Sequence, residues 1–247
     1  MTIASAFDRA ADYDAHAAIQ REAAARLATR VAALPLPPRP RVLEIGCGTG
    51  LLGVALVDRL PGARWFMTDL APAMVERART RFAGRAEIDF AVMDGETPDL
   101  AGPFDLIVSS LAMQWFADLP ASVARLRRIL APGGWIAFTT MAAGSFAEWR
   151  AAHGPLPAGT PDYPTHEALA ATGLDVSIET LVERHTDARH FLHSVKGIGA
   201  GTPRPGHRPL TPAQLHGVMA RFEAAGSVAS YVVATCLGRA TGEEARA

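Results

Sequence analysis

The chain has 247 residues, of which 49% are hydrophobic and 20% are charged, and its formal net charge is −1. This near-neutral balance gives no reason to expect nucleic acid or an anionic membrane surface as a partner, and no segment approaches the roughly 20 apolar residues of a membrane span. The N-terminal stretch MTIASAFDRAADYD has early acidic residues and no apolar core, so it does not predict a secretory signal. The two cysteines, Cys47 and Cys236, do not make a disulfide framework, and we expect a protein of the reducing cytoplasm.

The first part of the chain predicts a helical segment that ends at a proline-rich break. Residues 8–34 are rich in alanine and arginine, with larger apolar residues at roughly helical spacing. Four prolines in the stretch LPLPPRP, residues 34–40, then interrupt the pattern. We therefore predict an N-terminal helical lid segment over residues 1–39 and a main domain over residues 40–247.

After this break, strand and helix patterns alternate, which is typical of a parallel β-sheet with helices on both faces. Strands are predicted at five short apolar runs: residues 41–46, 63–69, 87–94, 104–110 and 133–140. Helices are predicted between them at residues 50–60, from Pro72 onward and at residues 118–130. The sequence thus predicts an α/β fold with a mostly parallel sheet.

The last third of the chain has a different pattern. Residues 143–173 contain many glycines and prolines and predict loose structure, within a region of substrate-side insertions over 143–225. Further elements are predicted as a strand at 176–183, a helix at about 187–198, a helix opened by the capping box Thr211 to Gln214, and a final strand at 228–238. The two late strands predict either an antiparallel addition to the sheet or a hairpin-like edge.

The sharpest local signal is the stretch EIGCGTG, residues 44–50, between the first strand and the following helix. Glycines here allow the backbone to approach a ligand closely, and the helix offers its N-terminal N–H groups. A second acidic residue, Asp69, ends the next strand 21 residues after Gly48, a distance typical of an acid that binds a ribose diol. Asp94 follows the strand after that.

Two cofactors compete for this site. Gly48, Gly50 and Gly53 spell the G-x-G-x-x-G pattern of dinucleotide-binding proteins, but the strand ends earlier, at Gly46, and Glu44 would repel a pyrophosphate. S-adenosylmethionine carries an ammonium and a sulfonium group and no phosphate, so it suits three acids at successive strand ends better. A third interpretation, that the glycines only make a tight turn, leaves the three acids unexplained.

These residues resemble those of the class I S-adenosylmethionine-dependent methyltransferases, over about residues 40–141. The resemblance implies a Rossmann-like, seven-stranded, mostly parallel sheet with an antiparallel last strand. It also implies that Glu44, Gly46, Gly48 and Gly50 hold the methionine part, Asp69 the ribose and Asp94 the adenine. The usual serine after the ribose acid is Ala71 here. The expected cofactor contacts further include Cys47, Leu70, Met74, Gly95 and Ser109.

Other segments resemble one subfamily, the malonyl-acyl-carrier-protein O-methyltransferases of biotin synthesis. The segments that carry this resemblance are the N-terminal pattern Phe7, Arg9, Ala10, Ala11, Tyr13, His16 and Gln20; LAMQW at 111–115; FTT at 138–140 followed by Gly144 and Ser145; VKGIGA at 195–200; and Ser230 with Tyr231. The resemblance implies methyl transfer to the free carboxylate of a malonyl group on acyl carrier protein or coenzyme A. Two alternatives remain: an O-methyltransferase of another small carboxylate or natural product, and a non-catalytic assembly factor that binds the cofactor.

Lys196 is the only lysine in a chain that otherwise uses arginine. A malonyl carboxylate, with a pKa of about 4, is ionised at neutral pH and needs no general base. It needs a cationic handle, a positively charged side chain that holds the carboxylate in place. A lysine binds one oxygen and leaves the other free to attack, whereas an arginine fork would bind both. The simpler interpretation is a cation that complements the end of a helix.

Further candidates for positioning the carboxylate are Tyr13, Gln114, Trp115 and Tyr231. We interpret His190 and His193 as residues of a solvated helix face, and no Cys or His set has the spacing of a metal site. For an acidic carrier protein, two basic clusters are candidate docking surfaces: Arg125, Arg127 and Arg128, and Arg204, His207 and Arg208.

Overall fold

A computed structural model describes residues 3–8, 13–198, 201, 203–204 and 206–241. The described N-terminal residues include the helices α1 (Ile3–Asp8), α2 (Tyr13–His16) and α3 (Ala18–Ala32), so the helical pattern predicted over 8–34 is interrupted within the described residues. Ala17 interrupts the last two with a non-helical backbone conformation.

Strands and helices then alternate as the sequence predicts. The strands are β1 (Arg41–Ile45), β2 (Arg64–Asp69), β3 (Ile88–Val92), β4 (Phe104–Ser110), β5 (Leu130–Met141), β6 (Asp175–Arg184) and β7 (Val228–Arg239). The remaining helices are α4 (Leu51–Leu56), α5 (Pro72–Arg81), α6 (Leu119–Arg128), α7 (Ala147–His153), α8 (His166–Ala170), α9 (Ala188–Gly197) and α10 (Pro212–Ala224). Short 3₁₀ turns occupy Val57–Arg59 and Met113–Trp115.

All seven strands form one sheet in the order β3-β2-β1-β4-β5-β7-β6. Strands β1 to β5 pair in parallel, and β7 runs antiparallel to both of its neighbours, β5 and β6. The predicted α/β sheet with an antiparallel last strand is confirmed, and the late strands are an addition to the main sheet. Because β1 lies between β2 and β4, the carboxyl ends of these strands meet at the centre of one sheet edge.

Helix α3 covers one face of the sheet. Its inward side combines the alanines 23, 24 and 28, which let the helix approach closely, with Leu27 and Val31, both fully buried. Burial of each of these two larger side chains contributes about 1.5–3 kcal/mol. Helix α6 packs on the opposite face through Val123 and Leu126. The N-terminal helices are thus anchored to the sheet through α3.

The prediction of loose structure over residues 143–173 is wrong, because α7 and α8 lie there. Trp149 of α7 packs in an aromatic cluster with Phe191 and Phe222, at ring distances of 5.1 and 5.4 Å. Thr165 caps α8 by accepting a hydrogen bond from the N–H of Ala168. Both helices are too short for their periodicity to stand out between glycines and prolines, and tertiary packing stabilises them. The capping box of Thr211 and Gln214 is confirmed.

No helix in the described part of the chain is both long enough and apolar enough to cross a membrane.

Candidate active site

A cavity opens at the carboxyl ends of the central strands. Eight of the residues predicted for the cofactor or the substrate line it: Tyr13, Gly46, Gly48, Asp69, Leu70, Asp94, Gly95 and Trp115. The strand order explains this convergence, because these residues follow β1, β2, β3 and β4 or belong to the helix above them. Residues that sequence reasoning did not select complete the wall, among them Ala4, Phe7, Ser110, Leu111 and Phe116.

The glycine loop bends sharply after β1. Gly46 has a φ of +65°, and a Cβ there would lie 2.3 Å from Cβ of Ala112, so only glycine fits. Gly48 has a φ of +55°, but a Cβ there would meet no atom within 4 Å, because this position faces the cavity. Gly50 does not line the cavity; it precedes α4, and a Cβ there would lie 2.7 Å from the ring of Phe82. The loop therefore offers a ligand bare backbone at Gly48.

Asp69 connects the end of β2 to this loop. Its Oδ2 accepts a hydrogen bond from the N–H of Gly48 at 2.8 Å, and its Oδ1 accepts one from the N–H of Ala71 at 2.8 Å. Burial raises the pKa of the Asp69 carboxyl, and these hydrogen bonds oppose the rise. The carboxylate is thus held at the cavity wall while it also fixes the loop conformation.

Glu44 is 1% exposed and lies on β1 below the loop. Burial, and to a smaller degree the negative charge of Asp69, raises the pKa of its carboxyl to about 8. Its Oε2 is buried and has no hydrogen-bond partner among the described residues, and the same is true of Oε1 of Gln20. Both side chains line a small second cavity on the other side of the loop, together with Tyr13, Cys47 and Thr49. A buried acceptor without a donor is costly, by about 1–3 kcal/mol, so this pair fits a ligand that carries several N–H donors or a positive charge.

The remaining predicted cofactor residues lie at different depths. Asp94 is exposed and accepts a hydrogen bond from the N–H of Glu96 at 2.9 Å. Gly95 is required by a close approach, since a Cβ there would lie 2.3 Å from Cγ2 of Ile45. Met74 is fully buried beneath Phe7 and Tyr13 and does not line the cavity. Ser109 is buried with its Oγ unpartnered among the described residues, whereas Ser110 lines both cavities.

Helices α1 and α2 form the outer wall of the cavity. The ring of Phe7 meets the ring of Trp115 edge-on, at a centroid distance of 5.9 Å. Asp8, at the end of α1, accepts a hydrogen bond from the N–H of Ala73 at 3.0 Å. The first helices therefore cover the site, although the domain boundary at residue 39 itself stays a prediction.

The residues predicted to position the carboxylate are not gathered in one place. Trp115 and Tyr13 line the main cavity. Gln114 lies beside it, donating from Nε2 to the carbonyl oxygen of Leu111 at 2.6 Å, while its buried Oε1 has no partner in the described part of the chain. Tyr231 is 4% exposed and lies in the aromatic cluster of α7, α9 and α10, where its hydroxyl donates to Glu183 at 3.1 Å.

Lys196 is exposed in the last turn of α9 and lines neither cavity described above. Its helix packs against α2, because the imidazole of His16 lies against Gly197, where a Cβ would be 2.5 Å from Cδ2 of His16. The glycine at position 197 thus makes room for a lid residue. Gly199 and Ala200 of the predicted loop lie outside the described residues, as do Arg9, Ala10 and Ala11 of the N-terminal pattern.

The predicted histidine and arginine groups make local contacts. The rings of His193 and His16 meet edge-on at 4.9 Å, and Nδ1 of His190 lies 3.4 Å from Nδ1 of His185. Within the described residues, no group of three or more His, Cys, Asp or Glu is arranged to hold a metal ion. In the two basic clusters, Arg125 and Arg127 donate to the carbonyl oxygens of Glu96 and Gly173, and Arg204 pairs with Asp162 at 3.5 Å.

Sequence reasoning missed four polar residues of the site: Asp14, Gln20, Thr49 and Ser110. Gln20 belongs to the N-terminal pattern quoted above, but its depth was not evident, and Thr49 lies inside the glycine stretch. Asp14 follows Tyr13 in the chain. The partners of its side chain, Thr49 and Arg81, lie 35 and 67 residues away, so no local signal identifies it.

Comparison with known proteins agrees with this geometry. A family model described as "Methyltransferase domain" matches residues 43–136. The biotin biosynthesis bifunctional protein BioCD of Bordetella avium is 48% identical over 93% of this chain, which spans 50% of that protein's length. The malonyl-[acyl-carrier protein] O-methyltransferase of Magnetococcus marinus is 40% identical over 84% of this chain and 80% of its own.

Among solved structures, the YcgJ protein of Bacillus subtilis superposes with a TM-score of 0.61 at 15% identity, covering 87% of this chain and 97% of its own, which supports the fold alone. The sheet order, the glycine loop with its acids and the identity to full-length relatives agree, and the chain belongs to the malonyl-[acyl-carrier protein] O-methyltransferase family within the class I methyltransferases.

Proposed function

We propose that this protein transfers a methyl group from S-adenosylmethionine to the free carboxylate of a malonyl group carried by acyl carrier protein, giving the methyl ester in an early step of biotin synthesis. The observation that carries the proposal is the pair of buried acceptors beside the glycine loop, Oε2 of Glu44 and Oε1 of Gln20, which have no partner in the described part of the chain. The names of the full-length relatives supply the acceptor.

The residues at the loop fit S-adenosylmethionine better than a dinucleotide. The ammonium group of the methionine part would satisfy Glu44 and Gln20, and its charge would stabilise the ionised form of Glu44. A pyrophosphate would instead bring negative charge against Asp69 and would offer no N–H donor to Glu44 and Gln20. Asp69 and Asp94 would hold the ribose and the adenine, with Leu70 and Gly95 beside them. When bound, this cofactor supplies an electrophilic methyl group on a sulfonium sulfur.

The protein itself needs to orient the acceptor and exclude water. Because the malonyl carboxylate is ionised at neutral pH, no side chain has to remove a proton. The reaction neutralises opposite charges, so a dry site favours it. Phe7, Tyr13 and Trp115 provide aromatic walls on the outer side of the cavity. Alignment of the reacting groups in such a site is worth about 7–11 kcal/mol at best.

Lys196 is the proposed cationic handle for the acceptor carboxylate. Its helix α9 packs against the lid helix α2 through His16 and Gly197, and the lysine is exposed in the last turn of α9. A hydrogen bond between an ammonium group and a carboxylate is worth about 1.5–3 kcal/mol. The methyl ester is neutral and loses this contact, which favours its release. Gln114, whose buried Oε1 has no partner among the residues that the structure describes, is proposed to orient the acyl arm.

Acyl carrier proteins are acidic, and we assign the docking of this partner to a basic surface, with the Arg125 and the Arg204 clusters as the two surfaces to test. Arg128 and Arg208 are the exposed arginines of these clusters. A cytoplasmic location is part of the same proposal, because two free cysteines suit a reducing compartment.

The proposal is tested by incubating the protein with S-adenosylmethionine and a panel of acceptors: malonyl-acyl carrier protein, malonyl-coenzyme A, the succinyl thioesters and free malonate. Mass spectrometry should show a gain of one methyl group on the malonyl thioesters, fastest on the carrier protein. An Asp69→Ala variant, which lacks the ribose carboxylate, serves as the inactive control. Tight cofactor binding without methylation of any acceptor would refute the enzyme function.

A further inference from the structure

One carboxylate joins the lid helix α2 to the glycine loop and to the end of α5. Oδ1 of Asp14, in α2, accepts a hydrogen bond from Oγ1 of Thr49 at 2.6 Å. Thr49 is 4% exposed and lies in the glycine loop before α4. The other oxygen, Oδ2, pairs with the guanidinium of Arg81, the last residue of α5. Arg21 of α3 donates to the backbone carbonyl of Asp14 at 2.6 Å. Asp14 therefore connects α2 with the loop and with the helix that follows β2.

The neighbour of Asp14 in α2 is the residue that closes the site. Tyr13 lines the main cavity, the small cavity below the glycine loop and the outer groove between α2 and α5. Since Tyr13 and Asp14 are consecutive in a single helical turn, a displacement of α2 that separates Asp14 from Thr49 also moves the tyrosine. Ala4, Phe7 and Tyr13 form one wall of the main cavity, so a ligand that fills it lies against the lid helices.

We propose that Asp14 is a positioning residue: its bonds to Thr49 and Arg81 hold Tyr13 closed over the bound cofactor, and their rupture controls release of the product S-adenosylhomocysteine. The proposal rests on the cofactor assigned under the proposed function and not on the acceptor. The bond to Thr49 dominates, because it joins a carboxylate to a buried hydroxyl, whereas the Arg81 side chain is 29% exposed and the Asp14 side chain 42% exposed. Ion pairs as exposed as this contribute little, and hydrogen bonds to charged groups contribute more.

The test measures the dissociation rate of S-adenosylhomocysteine from the full chain, without acceptor, by stopped-flow displacement. Intrinsic tryptophan fluorescence reports it, because Phe7 of the lid lies against Trp115. We expect Asp14→Ala and Thr49→Val each to accelerate dissociation by about tenfold, the size expected for loss of a hydrogen bond to a charged group. Thr49→Ser, which keeps the hydroxyl, should stay within about twofold of wild type.

Two comparisons separate this role from a general loss of stability. The Asp14→Ala, Thr49→Val double variant should release the ligand no faster than Asp14→Ala alone, because Asp14→Ala already removes the bond to Thr49. The matched control is Asp58→Asn, which removes another aspartate–arginine pair, Asp58 with Arg85 at 2.6 Å, that involves no lid residue. Its dissociation rate should equal that of wild type even if its melting temperature falls.

Unchanged release from both Asp14→Ala and Thr49→Val would overturn the proposal, as would equal acceleration by Asp58→Asn. Acceleration by Asp14→Ala alone, with Thr49→Val unchanged, would contradict the assignment of the bond. Failure of the malonyl acceptor assay would leave the result standing, whereas a wild-type protein that does not bind S-adenosylhomocysteine would refute the cofactor assignment and this proposal together.

Discussion

Replacing Glu44 by glutamine removes the buried ionisable group of the site while nearly preserving its shape. The pKa of the Glu44 carboxyl rises from an ordinary value of 4.5 to about 8 in the folded protein, chiefly because of burial. Because the pKa of Glu44 is raised in the folded protein, its carboxyl ionises at a lower pH in the unfolded chain than in the folded protein. The stability of the cofactor-free wild type therefore declines as pH rises from about 4.5 to about 8, and this contribution is constant above that range.

The magnitude follows from the pKa. At about 1.4 kcal/mol per pH unit, the difference between the two pKa values lowers the free energy of unfolding by about 3 kcal/mol at pH 7, where only the unfolded chain is largely ionised at Glu44, and by about 5 kcal/mol above pH 8. These are upper values, since local rearrangement and water penetration relieve part of the penalty. Glu44→Gln should lack this decline, so the difference between variant and wild type should grow with pH.

Urea unfolding at several pH values between 5 and 9 measures this difference, and Glu76→Gln, which changes a carboxylate on α5 that is 71% exposed, is the matched control.

A second readout is calorimetric. The positive charges of S-adenosylmethionine favour the ionised form of Glu44. Binding at pH 7 should therefore release close to one proton from wild type and none from Glu44→Gln. The release is measured as a dependence of the binding enthalpy on the ionisation enthalpy of the buffer. Parallel pH profiles for wild type and Glu44→Gln, with no proton release from either, would refute the reasoning.

Three further variants test the site. Gly48→Ala places a methyl group in the open cavity at a φ of +55°. Calorimetry should show at least tenfold weaker cofactor binding, and thermal unfolding should show a loss of only about 1–2 kcal/mol in the free energy of unfolding. Retained affinity would contradict the proposed role of the glycine loop in cofactor binding. Lys196→Met should slow methyl transfer to the malonyl group by about 10- to 150-fold, with cofactor affinity within about twofold of wild type. The control Arg189→Met, which removes an exposed cation on the same helix, should not slow transfer. Normal turnover of Lys196→Met would mean that the lysine is only a charge at a helix end. Tyr231→Phe should lower the free energy of unfolding by about 1 kcal/mol, because it loses the hydrogen bond to Glu183. The KM for the acceptor should not change. A raised KM with unchanged stability would instead indicate that the hydroxyl contacts the substrate.

The elements that the sequence predicts well are those with a strong period and clear ends. The five parallel strands and the helices between them were predicted within a few residues, because buried strands are short apolar runs and the capping residues are local. The helices α7 and α8 were missed for the opposite reason. Their formation depends on partners such as Phe222, 73 residues after Trp149 in the chain, and not on their own pattern.

The candidate site shows the same division. Asp69 and Gly48 could be paired from the sequence, since parallel strands end at a common edge. Ser109 was selected where the neighbouring Ser110 faces the cavities, because side chains alternate along a strand and a shift of one residue reverses the face. Tyr231 was assigned to the substrate by its place in a late strand, but its side chain lies in the aromatic cluster, a fact that depends on where β7 enters the sheet.

The amino-acid sequence alone was sufficient for the α/β architecture, the glycine loop with its acids and the family, because each of these is a pattern of neighbouring residues or a fixed spacing between strand ends. Only the tertiary structure decided which groups meet: that Gln20 joins Glu44 in one small cavity, and that Asp14 ties the lid to Thr49 and Arg81. Such contacts join residues from separate helices, and their energies depend on burial and distance, neither of which is a property of any local stretch of the chain.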